Sequence, residues 1–176
     1  MLEKELHNRL KRVVIGVDPA ITHHENSDET GIIVAGLGVD HNFYVLDDLS
    51  GRYRPTEWAE KVVEAYDYYK ADRVVAEVNQ GGDLVEVTLR MVDRRLSYRG
   101  VRATRGKLVR AEPIAALYEK KRVFHRQCFQ KLEDQMCRFT GERTEASPDR
   151  LDALVWALTD LALSEDSPDA PRAWVI

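Results

Sequence analysis

Val13-Val14-Ile15-Gly16-Val17-Asp18 is a β-branched apolar run that stops on an acid. A run of that length and composition reads as a buried strand over residues 12–18. A carboxylate at its end is awkward, because a buried, unpaired carboxylate costs several kcal/mol unless it finds a partner or holds a metal. Two more acids repeat the pattern. Glu77 interrupts the apolar run Val74-Val75-Ala76-Glu77-Val78, and Asp152 lies within Leu151-Asp152-Ala153-Leu154-Val155-Trp156-Ala157-Leu158, which is apolar nearly all round. Three such acids, distant in sequence but each on a buried element, can converge into an oxygen-lined pocket suited to Mg²⁺ or Mn²⁺.

Outward from the first strand, the chain alternates strands and helices. Gly31–Gly36 reads as a second strand and residues 42–46 as a third, after a turn at Asp40-His41. Their short connections favour an antiparallel meander. Pro55-Thr56-Glu57 resembles a helix start with Thr56 as cap, followed by the stripe Trp58, Val62, Ala65, Tyr66 and Tyr69. Residues 74–78 form the fourth strand, Val101–Thr104 a short fifth and Val123–His125 a brief extended piece. Helices are expected from Gly82-Asp83 onward, over 108–121 with Pro113 near the first turn, over 129–139, and over about 149–163. The fold class is therefore α/β: a mixed sheet, three antiparallel strands and then parallel ones reached by helical crossovers, with helices on its faces. Residues 1–11 read as a linker or lead-in helix, 12–165 as one domain and 166–176 as a flexible tail. In such a sheet Asp18 and Glu77 end adjacent parallel strands, and Asp152 enters from the first turn of the last helix. That rim is where open α/β sheets build their sites.

The 176 residues suit one full core, and 44% hydrophobic residues exclude a disordered chain. No stretch approaches the roughly 18 apolar residues of a membrane span, so no membrane partner is expected. Two cysteines, Cys128 and Cys137, suit a reducing compartment, and a cytoplasmic location is expected. The net charge of −4 conceals an asymmetry: from Arg94 to Lys131 twelve Lys or Arg stand against Glu112 and Glu119, so this segment carries +10 and the remainder −14. A concentrated basic region in an acidic chain points to a polyanion met locally. The candidate backbone contacts are Lys107 and Arg110, with Arg105, Lys121 and Arg122; each also reads as an ordinary surface charge. His125, Cys128 and Cys137 lack a fourth ligand and zinc-like spacing.

Several stretches together resemble one family. Ile15-Gly16-Val17-Asp18-Pro19-Ala20 with Glu29-Thr30-Gly31-Ile32 is similar to the first motif of the nuclease domain of phage terminase large subunits, within the RNase H-like superfamily, and Val75–Gly82 is similar to the second. Lys107–Ile114, Leu132–Met136 and Ser147–Leu158 also resemble that family, in order, over roughly residues 13–163. The resemblance implies an RNase H-like fold and a metal-dependent endonuclease that cuts concatemeric viral DNA during packaging. Asp18 would bridge two Mg²⁺ or Mn²⁺ ions about 3.5–4 Å apart, with Glu77 and Asp152 each favouring one side. Asp149, one helical turn before Asp152, reads either as a fourth ligand or as part of the helix start. Double-stranded DNA is the implied substrate. An ATPase motor domain, a small terminase subunit and a portal are the implied partners, in host cytoplasm. No Gly-x-x-x-x-Gly-Lys-Ser/Thr motif occurs, so the chain looks like the nuclease domain alone. Asn79 and Gln80 are candidates to contact phosphate or orient a water, and His23 and His24 to shuttle protons or simply face water. A junction resolvase of the same superfamily and a non-catalytic actin-like module are the alternatives.

Overall fold

The computed structural model describes residues 9–19, 29–78, 83–104, 106–139 and 148–165. His23, His24, Asn79, Gln80, Arg105 and the tail from residue 166 lie outside the described residues, as do residues 1–8 of the lead-in. In chain order the elements are β1 (Leu10–Asp18), β2 (Gly31–Gly38), β3 (Phe43–Asp48), α1 (Pro55–Tyr68), β4 (Arg73–Glu77), α2 (Asp83–Val92), β5 (Tyr98–Val101), α3 (Lys107–Glu119), β6 (Val123–His125), α4 (Gln130–Arg138) and α5 (Asp149–Glu165).

The strands form one sheet in the order β5-β4-β1-β2-β3-β6. β1, β2 and β3 are antiparallel neighbours, β4 and β5 extend the sheet parallel to β1, and β6 joins the other edge parallel to β3. This is the expected mixed RNase H-like sheet. Alternation along β1 divides the core. Val14 faces one side, with Leu132 of α4 and Leu154 and Leu158 of α5; Val13, Ile15 and Val17 face the other, with Trp58 and Val62 of α1 and Leu89 of α2. β2 is buried along its whole length because helices cover both of its faces.

Four local expectations shift. β5 lies at Tyr98–Val101 rather than 101–104, because the β4 register pairs Val74 with Tyr98 and Glu77 with Val101, while Arg102, Ala103 and Thr104 stay exposed. The cap position of α1 falls on Arg54, not Thr56: Pro55 takes the first helical position, and Glu57 reaches back to accept the Arg54 N–H at 2.8 Å. Pro113 stands inside α3, beyond its first turn. Strand β1 also begins at Leu10, within the stretch read as lead-in.

Two glycines set the height of α5 above the sheet. A Cβ on Gly16 would run into the Ala153 carbonyl and press on Ala157 Cβ, and one on Gly31 would run into the Asp149 carbonyl. Gly31 is paired with Asp18 across β1 and β2. The first turn of α5 thus rests on bare backbone beside the end of β1.

Candidate active site

The parallel register of β1 and β4 places Val17 opposite Ala76, so Asp18 and Glu77 leave the sheet side by side. From above, α5 contributes Asp149 and Asp152, 7% and 5% exposed. The electrostatics tie the four together. Burial pushes the Asp18 carboxyl well above the usual carboxylate range; the negative charges of Asp152, Asp149 and Glu77 push it further, and Lys107 opposes them. Asp152 is raised as well, first by burial and then by Glu77, against the pull of its hydrogen bond to Lys107 and the charges of Lys107 and Arg110.

Two cations from α3 answer this excess of acid. Lys107 forms an ion pair with Asp152 Oδ2. Arg110 Nη1 donates to Glu77 Oε2 at 3.2 Å, and its guanidinium lies 4.5 Å over the Trp156 ring. Trp156 Nε1 donates to the same Glu77 oxygen at 3.0 Å. In this arrangement, no three His, Cys, Asp or Glu side chains among the described residues are placed to hold a metal ion. Glu77 is turned to Arg110 and Trp156, and Asp152 to Lys107. The donor chemistry nonetheless suits a hard cation: four carboxylates, with no His or Cys taking part in the electrostatics of Asp18.

The first turn of α5 is braced from beneath. Gln135 Oε1, on α4, accepts the backbone N–H groups of Arg150 at 3.0 Å and Leu151 at 3.2 Å, capping the helix from a neighbouring one. The Arg150 side chain is 4% exposed. It donates Nε to Asp48 Oδ2 at 3.0 Å, Nη2 to the Ser50 carbonyl at 3.3 Å and Nη1 to Glu29. Burial lowers the Arg150 pKa and raises that of Asp48. Arg150 and Gln135 lie in stretches with a family resemblance but do not stand out from sequence, because a lone Arg or Gln normally reads as a solvated surface residue.

Of the basic candidates, the structure brings Lys107 and Arg110 to the acids. Lys121 and Arg122 stand at the opposite end of the sheet. Phe43 pairs with Val123 and Leu37, which lie toward the Leu10 end of β1. There the Arg122 guanidinium lies 5.3 Å over the Phe43 ring, and Lys121 adopts a positive φ of 55°. His125 is held between Tyr118, at 2.7 Å from Nε2, and Glu133, at 3.0 Å from Nδ1. Glu133 also accepts the Phe129 N–H at 3.1 Å, so this trio ties β6 to the start of α4.

Comparison with known proteins gives the family and the fold. The family model described as Terminase RNaseH-like domain matches residues 15–161. No curated protein matches the chain in sequence. Among solved structures, the chain is similar to the large terminase nuclease from thermophilic phage G20c with bound magnesium (TM-score 0.64, 16% identity, 84% of this chain and 80% of that one). It is similar to the human cytomegalovirus terminase nuclease domain, manganese-soaked with inhibitor bound (TM-score 0.59, 12% identity, 92% and 87%). It also resembles T. thermophilus RuvC in complex with a Holliday junction substrate (TM-score 0.55, 14% identity, 87% and 95%).

Proposed function

Since the chain belongs to the terminase RNase H-like domain family, we propose that it is a divalent-metal-dependent endodeoxyribonuclease that makes the packaging cuts in concatemeric viral DNA. The observation that carries this reading is the setting of Asp18: a carboxyl at a strand end, raised by burial and by three further acids from β4 and α5. Such a concentration of negative charge on buried elements is stabilised when hard cations enter it. Asp18, Glu77 and Asp152 would hold the ions, with Asp149 as a fourth candidate; Mg²⁺ or Mn²⁺ suits their oxygen donors. Once bound, two such ions supply an attacking water and neutralise charge at the phosphate and leaving oxygen.

The chain's own groups have definite tasks. Asp18 stands where the helix acids and the β4 acid meet. Trp156 orients Glu77 by a hydrogen bond to one oxygen. Lys107 and Arg110 neutralise Asp152 and Glu77 in the structure. With cations bound at those acids, these two side chains would be available to the phosphates of an approaching strand, whose oxygens carry the charge a guanidinium or ammonium pairs with. Double-stranded DNA is the substrate this supports. Within the family reading, an ATPase motor domain, small terminase subunit and portal would deliver it, in the cytoplasm of an infected host. The test is cleavage of linear, supercoiled and four-way-junction DNA with Mn²⁺ and with EDTA. Metal-dependent cutting of linear and supercoiled duplex is expected. Cutting confined to junctions would give the resolvase reading, and cutting undiminished in EDTA would remove the metal mechanism.

A further inference from the structure

Away from the four acids, three arginines converge on one buried carboxylate. Asp160 on α5 has a side chain 2% exposed, and Arg73 Nη1 and Arg99 Nη1 donate to its Oδ1 at 3.2 and 2.9 Å. Arg12 Nη2 lies 3.7 Å from its Oδ2. One guanidinium would neutralise this acid; three leave the cluster at +2. Packing like charges together costs free energy, and stability alone gives no reason for the second and third. The polar inventory is also incomplete: Asp160 Oδ2 and Arg12 Nε are buried with no hydrogen-bond partner among the described residues. Arg99 and Arg73 are open to solvent, at 47% and 31%. Each spends one nitrogen on Asp160 out of a fork with five donors.

We propose that Arg73 and Arg99, held in place by Asp160, form a second phosphate-contact point for the DNA strand that lies in the acid cluster. This rests on the nuclease reading and extends it to a substrate track. Position carries the argument. Arg73, Val75 and Glu77 alternate on the face of β4 that α5 covers, and Arg99 pairs with Val75 from β5. At roughly 3.3 Å per strand residue, Arg73 lies about 13 Å from Glu77. Eight residues separate Asp152 from Asp160 on α5, and at about 1.5 Å each they give about 12 Å. Arg110 at Glu77, then Arg99, then Arg73 therefore make a basic row along one flank of α5. A row of that length can reach more than one phosphate of a single strand, whose charges recur every roughly 3.4 Å of duplex axis. Guanidinium forks match phosphate oxygens in charge and shape, so the row follows the backbone and reads no bases.

The experiment is a set of fluorescence-anisotropy titrations of a labelled duplex oligonucleotide with Ca²⁺ present, at several salt concentrations, for the parent chain, Arg99→Gln and Arg73→Gln/Arg99→Gln. Arg99→Gln leaves Arg12 and Arg73 on Asp160, which protects the fold if the double variant fails. The expected result is a three- to tenfold weaker affinity at low salt. The log–log salt slope should flatten by about one for the single variant and about two for the double. A folded Arg99→Gln protein with the parent's affinity and slope overturns the contact and reduces the cluster to a clamp on α5. Plasmid cleavage with Mn²⁺ by the parent chain runs alongside. An active parent with an unchanged slope loses the contact and keeps the nuclease reading. An inactive parent whose binding still depends on Arg99 loses the nuclease reading and keeps a phosphate contact.

Discussion

Gly31 lies directly beneath the Asp149 carbonyl, and no Cβ fits between them. Strand and helix backbones meet there because the residue opposite Asp18 has no side chain. Gly31→Ala should lift the first turn of α5, costing about 1–3 kcal/mol of stability by overpacking. Cleavage should fall much further than stability, since Asp149 and Asp152 move with that turn. Thermal melts and cleavage rates on the same preparation check this; a destabilised but fully active Gly31→Ala protein would show that the height of α5 does not matter to the chemistry.

Asp18→Asn should abolish cleavage and leave the fold intact. It should also change how the metal-free protein responds to pH. The folded-state pKa of Asp18 is raised above its ordinary value, so the protonated form fits the fold better. This contribution is fully present below the unfolded value of about 3.9 and is lost as pH rises through the raised folded value. Asp152, raised too, acts in the same sense. In EDTA the parent protein should therefore lose stability as pH rises across that interval, and Asp18→Asn should flatten the decline. Added Mn²⁺ should restore stability at neutral pH in the parent and much less in the variant. Melting temperatures across a pH series, with and without metal, carry the comparison.

Lys107 and Arg110 neutralise the same acids that metal ions would take. Lys107→Met with Arg110→Met should leave Asp152 and Glu77 uncompensated, lowering metal-free stability by about 1–3 kcal/mol. The variant should regain more stability than the parent on adding Mn²⁺. It should also bind duplex DNA more weakly at every sequence, with a salt slope flatter by up to about two. Chemical denaturation in EDTA and in Mn²⁺, together with binding titrations, separates these effects.

Arg150→Met removes the cation from a site that holds Asp48 and Glu29. Losing one member of a buried ion pair typically costs about 3–5 kcal/mol. Asp48→Asn added to Arg150→Met should recover part of that loss, because the residual buried charge is what destabilises. Urea unfolding of both proteins measures it; a double variant no more stable than Arg150→Met would place the cost in packing instead.

The mixed sheet, with three antiparallel strands and then parallel ones, and the nearness of Asp18, Glu77 and Asp152 are legible in sequence because they rest on local rules. β-branched runs mark the strands, short connections make the first three antiparallel, and an acid that interrupts an apolar run announces itself. The fifth strand was misplaced because Tyr98-Arg99-Gly100-Val101 has little apolar alternation, and only pairing with β4 decides its register. The supports of the site were invisible for a different reason. Arg150 with Asp48 and Arg99 with Asp160 are long-range pairs, separated by 102 and 61 residues. Nothing local distinguishes an arginine paired with a distant acid from a solvated one. Sequence marks Lys107 and Arg110 as cations, but that they face carboxylates depends on where α3 crosses α5.

The order of the chain has a consequence for its synthesis. Asp18 and Glu77 leave the ribosome early, whereas Asp149 and Asp152 follow more than seventy residues after Glu77. Translation proceeds at roughly 5–20 residues per second, so a nascent chain spends several seconds with only half of these acids made. Any chemistry that needs all four must wait until α5 has emerged and settled onto Gly16 and Gly31. On the proposed nuclease reading, a chain whose last helix has not docked would lack the acids that cleavage needs.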